Sequence, residues 1–91
     1  MKYQIEVTSR FKKDYKLAQK RGLDMSQLEK VVEILALGEA LPEKYLDHSL
    51  IGDYKGYREC HIHPDWLLVY KIQNDILILT LARTGSHSDL F

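Results

Sequence analysis

The sequence predicts an α+β domain: an N-terminal strand, an antiparallel helical hairpin, then an antiparallel sheet meander, with the helices on one sheet face. Three observations carry this. Apolar and polar residues alternate over Tyr3–Thr8. From Phe11 to Leu35 the apolar residues recur every three or four positions. After Lys55 three strand-like runs follow one another, with turn residues between them.

Tyr3, Ile5 and Val7 alternate with Gln4, Glu6 and Thr8, the period of a half-buried strand. Ser9 offers a cap for the first helix, on which Phe11, Tyr15 and Ala18 share one face and Lys12, Lys16 and Lys20 another. Gly22 stops this helix. Asp24 or Ser26 can start the next, with Gln27 or Glu29 three residues on as a capping-box partner. Leu28, Val31, Val32 and Leu35 form its apolar stripe, and Gly38 and Pro42 end it. The short turn between the helices implies a hairpin.

A loop from about Glu39 to Lys55 carries His48. The closing strands are read as Tyr57–Ile62, Trp66–Gln73 and Ile76–Arg83, with Asn74-Asp75 as a tight hairpin turn between the last two. In the last run Leu77, Leu79, Leu81 and Arg83 share one face and Ile76, Ile78, Thr80 and Ala82 the other. Both faces are largely apolar, so this is a central strand that holds Arg83 firmly at its end.

Residues 1–91 are expected to form one domain. A chain of this length buries only about 60–65% of its unfolded surface, so its stability margin is narrow. Formal net charge is zero and the pI about 6.9, so a nucleic-acid partner would have to be met by a local basic patch rather than by the whole surface. Cys60 is the only cysteine, which excludes an internal disulfide and suits a reducing cytoplasm. Lys2, Glu6 and Arg10 interrupt any signal-peptide pattern, and the runs Leu67–Tyr70 and Ile76–Ala82 are too short to cross a bilayer, so no membrane association is expected.

All four histidines, His48, His61, His63 and His87, fall in the second half, with Arg58, Asp65 and Arg83 among them and Phe91 beyond. Imidazole is the side chain best suited to moving protons near neutral pH, and arginine beside it suits an attack on phosphate. On their strand Glu59 and His61 face away from Cys60 and Ile62, which suit the core and share a face with Arg58. Pro64 cannot donate a ladder hydrogen bond, so His63-Pro64-Asp65 is a turn that sets Asp65 near His61. RNA cleavage without a metal needs a base for the ribose 2′-OH, an acid for the departing 5′-oxygen and a cation for the phosphorane. His48, His61, Asp65 and His87 can supply the first two, and Arg83, with Arg58 or a lysine, the third. Phe91 can stack on a base, and Trp66 can shape the site. His61 and His63 with Cys60 are an alternative reading as metal ligands, but no CxxC or HExxH spacing completes such a set.

Three stretches carry a family resemblance: Asp47-His48-Ser49-Leu50, Gly56 through Trp66, and Arg83 through Phe91. Together, and with Lys16–Arg21 and Leu67–Ile72, they resemble the YafQ-type toxins of the RelE/ParE superfamily from bacterial type II toxin–antitoxin systems. The resemblance implies one antiparallel sheet backed by the helical hairpin, with the first strand beside the last. It implies cleavage of mRNA in the 30S A site of the 70S ribosome by metal-independent 2′-OH attack, with no cofactor, in the bacterial cytoplasm. It places His48, His61, Asp65, Arg83 and His87 in the catalytic set and Phe91 on the terminal aromatic. Glu59 falls on an acidic position that contributes. His63 stands where an acidic residue is common, and no role is assigned to it. On this reading His87 is the acid or base closest to the phosphate, His61 and Asp65 are a proton-transfer pair, and Arg83 is the phosphate ligand, while which histidine is acid and which is base does not follow from the sequence. The partners implied are a cognate antitoxin, whose disordered tail orders on binding, and operator DNA through that antitoxin alone.

Rival readings are a ParE-like toxin acting on DNA gyrase, a catalytically weak antitoxin-binding module, and a metal-dependent hydrolase built on His61, His63 and Asp65. Such ParE-like relatives lack the histidine and terminal aromatic set.

Overall fold

A computed structural model describes residues 1–91 as five strands and three helices. The first strand, β1 (Gln4–Val7), leads straight into α1 (Ser9–Lys20). The cap is Thr8, one residue before the expected Ser9. Its backbone is still extended, and its hydroxyl accepts from the Phe11 amide at 3.0 Å while donating to the Ala82 carbonyl at 2.7 Å. Two groups are satisfied at once, which Ser9, already helical, cannot do. Gly22, with φ of +77°, turns the chain toward α2 (Met25–Ala36), capped by Asp24 through the Ser26 amide at 3.1 Å.

The segment read as one loop contains a further strand. A short 3-10 turn at Glu43–Tyr45 precedes β2 (His48–Ser49), which pairs antiparallel with β3 (Arg58–His63). Two residues are too few to leave a periodic signature. A second 3-10 turn at Gly52–Tyr54 lies between them. The turn Pro64–Asp65 then leads into β4 (Trp66–Gln73), and β5 (Ile78–Gly85) is followed by the short α3 (His87–Leu90). The β4–β5 connection is a four-residue turn, Asn74–Leu77, not the tight Asn-Asp turn expected. The Asn74 carboxamide oxygen accepts from the Tyr3 hydroxyl, and Leu77 takes a left-handed φ of +54°. Ile76 and Leu77 therefore lie outside the strand.

The sheet order is β1-β5-β4-β3-β2. The first strand does lie beside the last, but parallel to it, Gln4 opposite Ile78 and Val7 opposite Leu81, so the sheet is mixed rather than wholly antiparallel. β1 is an edge strand. Tyr3 beside it is buried, whereas Ile5 and Val7 remain 39% and 40% exposed.

Phe11, Leu28, Val31 and Leu35 from the helices pack on one sheet face against Cys60, Ile62, Leu68, Tyr70, Leu79 and Leu81. On the opposite face Leu67, Val69 and Ala82 are covered by Leu90 of α3 and by Leu50, Tyr54 and Tyr57. Both faces of β4 are thus covered, which accounts for its near-continuous apolar run. No helix is long and apolar enough to cross a membrane.

Candidate active site

Pairing of β2 with β3 sets His48 opposite Glu59, and strand alternation sets His61 on the same face as Glu59, away from the helices. Glu59 is not open to solvent as alternation alone suggested. Its side chain is 5% exposed, lying under the two rings, with Oε1 3.5 Å from His48 Nε2 and 3.8 Å from His61 Nε2. His48 Nδ1 lies 2.7 Å from the Leu46 carbonyl, which can only accept, so Nδ1 carries a proton.

The rings of His48, His61, His87, Phe91 and Tyr54 follow one another at centre-to-centre distances of 6.4, 6.0, 6.3 and 5.7 Å. Three imidazoles contributed by β2, β3 and α3 therefore form a continuous row that ends on two aromatics. His87 is the first residue of α3, whose start is fixed by a reciprocal cap: the Ser86 hydroxyl accepts from the Asp89 amide, and the Asp89 carboxylate accepts from the Ser86 amide. Arg21 at the end of α1 ties Asp89 down through two hydrogen bonds of 2.6 and 3.2 Å.

Arg83 reaches its position through an irregularity. Val69 pairs with Arg83 and Tyr70 with Leu81, leaving Ala82 as an extra residue in β5. This bulge breaks strict alternation, so Arg83 does not continue the Leu79–Leu81 row as expected but stands opposite Val69. Its side chain is 11% exposed and held by Asp14, with Nε 2.7 Å and Nη2 3.2 Å from the carboxylate oxygens. Those hydrogen bonds, against an opposing desolvation, hold the guanidinium above its ordinary pKa, so it stays charged, with Tyr54 also alongside it.

Other expected residues fall elsewhere. Arg58 points to the helix side, where Asp47 and Ser49 bind it, so the structure does not bring it to the histidine row. Trp66 is buried, donating to the Thr84 hydroxyl at 2.9 Å, and supports the fold beneath the site. Asp65 is exposed on its turn and lines a hollow with Arg21, Thr84 and Asp89, while the carboxylate within 4 Å of His61 is that of Glu59. His63 stacks on Trp66, 6.2 Å between centres, outside the row. Cys60 faces the helical core, opposite to His61, so these two cannot share a metal, and no group of three or more His, Cys, Asp and Glu side chains is arranged to hold one.

Asp14, Arg21 and Tyr54 were not singled out from the sequence. Asp14 had a signal: it is the one carboxylate in a helix that carries five basic residues. Ser86-x-x-Asp89 is likewise a legible capping box.

Comparison with known proteins gives a consistent result. A family model described as "Bacterial toxin of type II toxin-antitoxin system, YafQ" matches residues 3–91. The mRNA interferase toxin YafQ of Escherichia coli K12 is 44% identical over 88 residues, covering 96% of this chain and 94% of that one. Among solved structures, a metal-bound toxin from Helicobacter pylori superposes with a TM-score of 0.92 at 48% identity, covering 98% of this chain and 99% of that one. The E. coli DinJ–YafQ complex gives 0.90 at 43%, covering 98% of both chains.

Proposed function

This chain belongs to the YafQ family of bacterial type II toxin–antitoxin toxins, and from that premise we propose that it is an mRNA endoribonuclease that inhibits translation. The observation that carries the reading is the row of three imidazoles running from the buried Glu59 carboxylate to Phe91, with the Arg83 guanidinium held near its far end by Asp14 and Tyr54. One imidazole takes the 2′-OH proton, another returns a proton to the departing 5′-oxygen, and Arg83 neutralises charge on the phosphorane. No step requires a metal. His87, exposed and flanked by His61 and Phe91, is the acid or base closest to the phosphate. Phe91, 62% exposed and in T-shaped contact with Tyr54, stacks on a base. Glu59 serves as the carboxylate partner of both His48 and His61, and Asp65 is not assigned a step in the row.

The cut is made in the 30S A site of the 70S ribosome, which supplies binding surface that a chain of zero net charge lacks. The partner is a cognate antitoxin, as the DinJ–YafQ complex supports for a close relative, and operator DNA is reached through that antitoxin. The test is cleavage of mRNA on programmed ribosomes, wild type beside His87→Ala, with free RNA and a gyrase supercoiling assay as controls. A-site cuts that persist in EDTA, after restoring the magnesium ribosomes need, and that fall by about 10²–10⁴ in the variant are expected. Undiminished cleavage by His87→Ala would remove that residue from the site, and gyrase inhibition without cleavage would overturn the reading.

A further inference from the structure

The histidine row opens at His61 onto a groove that the mechanism above does not use. It has a volume of about 590 Å³ and runs between α2, the segment Lys44–Leu46 and the end of β3. β2 covers only Arg58 and Glu59, so the β3 edge beyond them has no strand beside it. Lys30 lines one wall, Lys44 another, and His61 and His63 the floor, and none of the nine lining residues is Asp or Glu. Glu59 lies 3.8 Å from His61 Nε2 beneath that ring, so the charges that line the groove itself are those of Lys30 and Lys44, a wall that suits an anion. The groove is also amphipathic. The Lys44 ammonium lies 5.1 Å from the centre of the Tyr45 ring, and Leu46, held at a left-handed φ of +51°, is 60% exposed at the wall while its carbonyl fixes His48.

We propose that this groove binds the ribose-phosphate backbone of the single-stranded RNA substrate on the His61 side of the scissile bond, with Lys30 and Lys44 on phosphates and Tyr45 and Leu46 against a base. This rests on the endoribonuclease reading and adds a track for the substrate strand. An extended anionic chain with flat apolar bases matches cations set around an aromatic surface, and its entrance at His61 makes the bound strand continuous with the reacting phosphate.

The test uses a fluorescent, fully 2′-O-methylated single-stranded RNA oligonucleotide, which lacks the nucleophile and so reports binding alone. Its affinity is measured over a range of KCl for wild type, Lys30→Ala/Lys44→Ala and Lys30→Arg/Lys44→Arg. Both lysines are exposed, so the variants fold. The alanine pair should bind about tenfold or more weakly, with a log–log salt slope shallower by about 1.4, and the arginine pair should retain both. On ribosomes the alanine pair should raise KM and spare kcat. Unchanged oligonucleotide affinity and slope overturn the proposal. So does reduced cleavage on ribosomes with oligonucleotide binding intact, which would assign the groove to ribosomal RNA. Loss of binding to poly-glutamate alone would assign it to an acidic peptide and overturn it equally. A wild type that binds the oligonucleotide through these lysines but cleaves nothing would leave the groove standing and remove the nuclease reading.

Discussion

Asp14 grips Arg83 from the side: one carboxylate oxygen lies 2.7 Å from Nε and also accepts the Thr84 amide at 3.1 Å, and the other lies 3.2 Å from Nη2. A single helical side chain therefore fixes both the guanidinium and the backbone that carries it. Replacing it by alanine strands a nearly buried cation and a backbone donor. Asp14→Ala should lose about 2–4 kcal/mol of stability by denaturant unfolding. Under conditions where the variant is folded, cleavage should drop roughly 10- to 100-fold because the phosphate ligand is no longer aimed. Stability within experimental error of wild type would show that the pair contributes nothing.

Arg21 and the Ser86 amide hold the Asp89 carboxyl well below the usual carboxylate range. A depressed folded-state pKa stabilises the fold at pH values above the unfolded aspartate value, near 3.9, and that stabilisation is lost as pH falls through the folded value. Wild type should therefore be more stable than Asp89→Asn at neutral pH, with the difference shrinking below about pH 4. Paired thermal melts from pH 7 downward measure it, and a difference independent of pH would refute the linkage.

Burial pushes the Cys60 thiol up to about 12, with Asp47 and Glu59 adding to the shift. Native protein at pH 8 should react with a disulfide reagent only through unfolding, so its rate should rise with denaturant and stay insensitive to reagent concentration when opening is limiting. Fast second-order labelling of the folded protein would contradict this.

Leu77 occupies a left-handed conformation at 46% exposure, in a turn remote from the histidines. Leu77→Gly removes that strain but loosens the unfolded chain, for a net gain of about 0.5 kcal/mol. Cleavage should stay the same, and a lower melting temperature would show that the Leu77 side chain itself stabilises the turn.

Helices and most strand bounds were legible because they rest on local signals: Gly22, the Asp24 cap, the Leu28–Leu35 stripe and the alternation on β3 all report on their own neighbourhood. What escaped depends on partners far along the chain. β2 exists because Glu59 and Arg58 offer it a ladder, not because His48-Ser49 favours extension. The bulge at Ala82, which alters where Arg83 stands, forms where the Thr8 hydroxyl binds the Ala82 carbonyl, 74 residues away. Sequence spacing gave Arg58 its correct face but could not show that Asp47 and Ser49 would occupy it. The histidine row was visible as a composition and became a site only once two strands and the C-terminal helix were folded together.

The central position of β5 bears on how the protein is born. β1 has no neighbour but β5, and the two meet across the longest separation in the sheet, so the first strand made must wait for the last. At 5–20 residues per second that delay is roughly 4–15 s of synthesis. Throughout it Ile5 and Val7 lack their strand, and Arg83 and His87 do not yet exist. In the finished sheet β5 lies between β1 and β4, contributes Leu79 and Leu81 to the hydrophobic interior, and leads into the helix that sets His87 in the histidine row. The strand that completes the sheet is thus also the one that carries Arg83 and leads directly into His87.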